Sequence, residues 1–234
     1  MTVKHHPSEA VLLAYAAGGL GEGLSLLVAA HLSFCPQCRR SVAEAEAMGG
    51  VMMEDIAPVA LRPGALDSVL ARLDTPVPDA TDPKPWTAPT ARGPMPVPSS
   101  PAEGETDAPL PSVLRPYVRD LATARWQWLA PGVRQMDLVH RARGRDTAKL
   151  LRIAPGRVLP HHGHAGVEMT VVLSGSFSDE QGRFTRGDLA EIDSDTHHQP
   201  IADSGEDCIC LIGTDAPLRF SGIVPRVVAP MLGF

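Results

Sequence analysis

The chain has 234 residues, of which 44% are hydrophobic and 21% charged. This is close to the average of globular proteins, and the length allows one large domain or two small ones. A net charge of −6 and an aromatic content of only 4% argue against direct DNA binding and against platforms for stacked bases. No apolar run is long enough for a transmembrane helix, and the N-terminus has no signal-peptide pattern, so the expected setting is the cytoplasm.

Residues 1–74 read as helical. Ser8 is placed to cap a first helix over EAVLLAYAAG, which Gly18 and Gly19 would end. A second helix is expected from Glu22 to about Phe34, with Leu24, Leu27, Val28 and His31 on one stripe. A third runs from Pro36, with an interruption expected at Gly49-Gly50. Pro63 suits the first position of a fourth helix, GALDSVLARL. Such a region is small for an independent core and calls for a staple.

The staple is written as H-x3-C-x2-C: His31, Cys35 and Cys38. On one continuous helix these positions share a face; if Pro36 starts a new helix, the cysteines form a knuckle at its beginning. Either geometry gathers three zinc-type donors, and zinc needs a fourth. His6 is the nearest candidate and His5 its competitor. A closed set of two histidines and two cysteines leaves no open position, so its role would be structural. The plainer alternative is a buried cysteine pair or a redox dithiol.

Residues 75–111 hold eleven of the 23 prolines. Proline fixes its own φ and pushes its predecessor toward extended conformations, which predicts a semi-rigid linker. At about 3.1 Å per residue it could span on the order of 100 Å, enough for the helical part to act on its own.

Residues 112–234 read as β. AKLLRIAPG, EMTVVLSGSFS, GDLAEID and DCICLIGTD are short alternating or β-rich runs separated by turn residues. The expected fold class is therefore α+β in two domains, a small zinc-stapled helical bundle followed by an antiparallel β-barrel of jelly-roll type. Cys208 and Cys210 alternate on one strand and are expected to pack as small core residues, since a disulfide between them would strain the strand.

A second donor set lies in GRVLPHHGHAGVEMTVVLSG. His162 and His164, two apart on a strand, point to one face, and Glu168 enters the next strand beside them. GDLAEIDSDTHHQP supplies His198. Three imidazoles and a carboxylate suit zinc, iron, manganese or nickel and leave one or two coordination positions open. Their neighbours His161 and His197 should point away.

Both segments resemble the two motifs of the cupin superfamily. The first is met at every glycine, histidine and glutamate position. The second is met at Gly187 and His198 but has Asp193 and Asp195 where proline and glycine are common. The order of the two halves narrows the resemblance to the ChrR-type zinc anti-sigma factors. It extends to His5, His6, Ser8, Leu12 and Ala14 to Gly18 near the start, and to Asp207 through Phe220 near the end.

That resemblance implies a structural zinc on His6, His31, Cys35 and Cys38 and one divalent metal on His162, His164, Glu168 and His198. It implies 1:1 capture of a group IV (extracytoplasmic-function, RpoE-type) sigma factor. Release would follow an oxidative signal such as singlet oxygen, received by the cupin domain. Such a protein is not an enzyme, touches no membrane and acts on transcription through protein contact. Leu12, Leu13, Leu20, Leu24, Leu27 and Val28 are candidates for the sigma-binding face, or else core. The competing reading is a metal-dependent cupin enzyme, dioxygenase-like or a small-molecule hydrolase or isomerase, with a zinc-binding regulatory domain. The specific donor spacing of the helical part, and the absence of an evident acid/base set beyond the cupin donors, count against it.

Overall fold

The computed structural model describes residues 2–73, 110–121, 123–139, 146–216 and 218–220. The expected linker lies outside the described residues, apart from Leu110 and Pro111, and Leu110 is buried in the main core. Four helices come first: α1 (Glu9–Ala16), α2 (Glu22–Phe34), α3 (Pro36–Glu54) and α4 (Ala65–Leu73). Ser8 caps α1, its hydroxyl accepting the Val11 N–H. Two local expectations are corrected. α3 runs unbroken through Gly49-Gly50; a glycine inside a helix costs only about 1 kcal/mol against alanine, which the flanking helix formers sustain. α4 starts at Ala65, after a turn at Pro63-Gly64 in which Gly64 has φ +73°. No helix among the described residues is long and apolar enough to cross a membrane.

The strands are β1 (Gln127–Ala130), β2 (Val133–Val139), β3 (Thr147–Ile153), β4 (His162–His164), β5 (Glu168–Ser174) and β6 (Ser176–Asp179). They continue with β7 (Gly182–Thr185), β8 (Leu189–Ile192), β9 (His197–His198), β10 (Ile201–Ala202), β11 (Cys208–Thr214) and β12 (Leu218–Phe220). A six-stranded sheet has the order β1-β2-β3-β11-β5-β8, and two three-stranded sheets have the orders β10-β6-β7 and β12-β4-β9. Their pairings are antiparallel. The four runs read from the sequence become β3, β5 with β6, β8 and β11.

The large sheet is buried on both faces, which is why its central strands read as almost continuous apolar runs. Period 2 sorts the side chains. Ala148, Leu150, Met169, Val171, Leu173, Leu189 and Leu211 join the cluster that includes Leu24, Leu27 and Val28 of α2. Leu151, Ile153, Val172, Ala190, Cys208 and Cys210 pack on the other side with Phe177 and Phe184.

The division into compact units runs across the helical region. One joins Met1–Glu46 with Val97–Phe234; the other is Ala47–Pro96. The physical reason is α2, every residue of which from Gly23 to His31 is buried. A helix apolar all round needs cover on more sides than two short neighbours provide, and it finds that cover on β3, β5 and β11. Gly213 permits the approach, because a Cβ there would stand 2.6 Å from Leu27 Cδ1 and 2.9 Å from the Thr147 carbonyl. Asp146, just before β3, accepts the Leu24 N–H at 2.9 Å and caps the helix start, where Gly21 offers no side chain.

Candidate metal centres

The first centre sits where α2 gives way to α3. Cys35 leaves the helix with φ −109° and ψ 101°, and Pro36 starts α3. The cysteines thus form the knuckle at a helix start, not a stripe on one continuous helix. His6 Nδ1 lies 3.3 Å from Cys35 Sγ and 3.4 Å from Cys38 Sγ, and His31 Nε2 lies 3.3 Å from Cys38 Sγ. Tetrahedral zinc with bonds of about 2.0–2.3 Å has donor-to-donor edges of about 3.3–3.8 Å, so the four fit that ion. The Cys38 N–H points at Cys35 Sγ. His31 Nδ1 bonds the Gly187 carbonyl at 2.9 Å, which fixes the ring and leaves Nε2 for the metal. Burial lowers the His31 pKa to about 4, so the ring is neutral, the ligating form. Burial, then Cys35, push the Cys38 thiol well above its ordinary value, so a cation is needed to hold it as thiolate.

His6 reaches this cluster because its segment is fastened to the β7–β8 turn. Asp188 accepts the Lys4 N–H and the His5 N–H, while its other oxygen accepts the Thr185 N–H and hydroxyl. Burial works against this carboxylate, yet the N–H groups of Lys4, Thr185 and His5 outweigh it and hold its pKa below the usual range. His5 is a structural residue, not a solvated terminal one. Its carbonyl accepts the Leu189 N–H, and its ring lies 4.3 Å from that of Phe184. Glu191 takes both the N–H and the hydroxyl of Ser8. Gly187, at φ +87°, lies so close to Phe34 and Val3 that a Cβ would stand 2.9 Å from Phe34 Cβ.

The second centre lies inside the β domain. β4 brings His162 and His164, β5 begins with Glu168 and β9 ends with His198, and the four are buried. His198 Nε2 is 3.2 Å from His162 Nε2 and 3.3 Å from His164 Nε2, and 3.7 Å from Glu168 Oε1. Asp179 holds the far side of the His198 ring at 3.0 Å, and the Pro160 carbonyl that of His162 at 2.8 Å. Burial, then neighbouring imidazoles, lower His164 to about 3; burial brings His162 to about 4. Burial, with Asp179 second, pushes Glu168 up to about 8. Glu168 Oε2 and His164 Nδ1 lie buried 3.4 Å apart, and neither makes a hydrogen bond. Orphaned groups of this kind, in a set of three imidazoles and one carboxylate, fit a divalent cation. Each four-residue set has its donor atoms within 4.8 Å of one another and could hold a metal ion.

The neighbours sort as their alternation implies. The His161 and His197 rings stack on each other, 5.9 Å apart, away from the donors, and Asp193 turns back to cap its own loop at Thr196. Cys208 and Cys210 are buried with their sulfurs 3.4 Å apart. Of the six apolar helix positions, Leu12, Leu24, Leu27 and Val28 are buried, Leu20 is half-buried and Leu13 is 58% exposed.

Asp188, Asp179, Asp146 and Glu191 escaped sequence reasoning as positioning residues. The available signal was Asp188 beside the motif glycine, where an acidic residue can cap what approaches the turn. A further surface was also missed. α4 carries Leu66, Val69, Leu70 and Leu73 at i, i+3, i+4 and i+7, all exposed, and α3 exposes Met48, Val51, Met52 and Met53.

Fold and centres together define a class: a cupin-like fold whose two faces serve different clusters, one holding a buried His/Glu set, the other carrying a helix that ends in a zinc-type knuckle. Residues 115–217 match the family model of the ChrR cupin-like domain. The anti-sigma-E factor ChrR of Cereibacter sphaeroides is 44% identical over 231 residues, 98% of each chain. The crystal structure of Rhodobacter sphaeroides SigE in complex with the anti-sigma ChrR is similar at 42% identity and a TM-score of 0.74, covering 91% of this chain and 99% of that one. The chain belongs to the ChrR family of anti-sigma factors.

Proposed function

We propose that this protein captures an extracytoplasmic-function sigma factor in the cytoplasm as a 1:1 complex and frees it on an oxidative signal. The observation that carries the reading is the likeness, along nearly the whole chain, to an anti-sigma-E factor. Capture by occlusion needs no turnover and no catalytic residue.

In this reading zinc occupies His6, His31, Cys35 and Cys38 and locks the N-terminal segment to the α2–α3 junction. Among the six apolar candidates Leu13 remains available to a partner, whereas Leu24, Leu27 and Val28 are covered by the sheet. The larger share of the sigma surface falls on α4, whose exposed stripe has the spacing of a helix that docks into an apolar groove. The second donor set holds a divalent transition metal, which supplies a Lewis-acidic centre with open coordination. The protein's part is to keep His162 and His164 neutral, to orient the rings and to exclude bulk water. His31, through the Gly187 carbonyl, and Asp188, through the Lys4–His5 backbone, join the zinc centre to the strand that pairs with the Glu168 strand.

The test is co-expression of the full chain with extracytoplasmic-function sigma factors and isolation of the complex. A 1:1 complex is expected, weakened by Leu66→Glu and Leu70→Glu with the metal content unchanged. Failure of every such sigma factor to co-purify with zinc-loaded protein would contradict the reading.

A further inference from the structure

A cavity of about 150 Å³ lies beside the second donor set. Leu151, Ile153, Phe177, Ala190, Pro200 and Ile212 help to wall it, and His162, Glu168 and His198 line it. Its surface is almost wholly apolar. Apolar cavities of roughly this size exclude water and take up a benzene-sized molecule. The donors add an electrostatic demand. An imidazole ligates in its neutral form, so three of them and one carboxylate leave a divalent ion with one uncompensated positive charge, and a low-dielectric site penalises that imbalance.

We propose that the metal-loaded cupin site binds a compact apolar monoanion, an aromatic or branched carboxylate of about benzoate size. The carboxylate meets the metal and the apolar body fills the cavity. A dianion would over-compensate the charge, and a polyhydroxylated ligand would find too few hydrogen-bond partners along a wall whose one hydroxyl side chain is Thr170. This inference rests on the reading of His162, His164, Glu168 and His198 as a metal centre.

The test is calorimetric titration of the full-length protein, its metal content measured, with benzoate, acetate and toluene. Benzoate should bind at least about tenfold more tightly than acetate, which has the head without the buried body, and than toluene, which has the body without the head. Ala190→Leu, which fills the cavity, should abolish the benzoate preference and leave metal content unchanged. If that variant does not fold, Leu159→Phe on the cavity wall is read in its place. Equal affinity for acetate and benzoate in metal-loaded protein would overturn the inference and leave the metal centre standing. So would equal benzoate binding with and without metal. Protein that takes up no metal at this site would overturn the metal reading itself.

Discussion

The two donor clusters are built by opposite strategies. The first gathers thiols and imidazoles at a helix junction, where His6 arrives from a distant segment and the four donors match a closed tetrahedron. The second uses imidazoles and a carboxylate projecting from β4, β5 and β9, with Asp179 and the Pro160 carbonyl holding two of the rings, and it borders a cavity. A site that holds distant pieces of chain together is suited to structure. A site that the fold has already built, with coordination to spare, is suited to receiving a ligand or a signal. The difference yields predictions that separate the two.

The largest expected effect is at the first cluster. Structural zinc contributes apparent binding free energies of about 10–16 kcal/mol in small finger peptides. Cys35→Ala or Cys38→Ala should therefore abolish zinc retention, release the N-terminal segment and abolish sigma binding, as read by metal analysis and co-purification. Glu168→Gln should empty only the second site.

Truncation comes next. A chain ending at Asp74 keeps all four donors of the first cluster but uncovers Leu24, Leu27 and Val28, each worth about 1.5–3 kcal/mol of burial. It should bind one zinc yet melt well below the full chain in calorimetry. An unchanged melting temperature would mean that the sheet contributes nothing to α2.

Asp188→Asn tests the fastening between the clusters. The charged carboxylate accepts from Lys4, His5 and Thr185, and weakening such bonds should cost on the order of 2–4 kcal/mol. Its pKa is lowered on folding, so its contribution is present above the ordinary carboxylate pKa and is lost as pH falls through the lowered value. The gap between the parent and Asp188→Asn, measured by denaturant titration, should close in acid and stay constant near neutrality.

The smallest effect is a pH dependence confined to the second cluster. With Glu168 at about 8 and His162 and His164 already neutral at pH 7, metal binding near neutrality should displace one proton from Glu168. Metal affinity from chelator competition should rise about tenfold per pH unit from this group below pH 8 and level off above it.

The two clusters of four could be assembled from the sequence because each is local apart from one member. His31, Cys35 and Cys38 lie within two turns, and His162, His164 and Glu168 straddle one hairpin. Strand alternation likewise separated His161 and His197 from their neighbours. What stayed hidden is non-local. That α2 lies on the sheet depends on the gap left by Gly213 and on the cap from Asp146, and neither follows from periodicity. Strands as short as β9 and β10 carry too few residues to display an alternation, so only their partners reveal them. α4 was legible as a helix, but its exposure was not, because an apolar stripe at 3.6-residue spacing looks the same whether it meets a core or a partner.

In the proposed function one cluster holds the inhibitor together while the other receives the signal. A sigma-dependent reporter, followed with and without singlet oxygen, tests it on three chains: the parent, Cys38→Ala and Glu168→Gln. Cys38→Ala is expected to leave the reporter on in both conditions, and Glu168→Gln, shown to lack the second metal, to keep it off in both. Normal induction in metal-free Glu168→Gln would contradict the claim and move the receiving role away from the cupin centre.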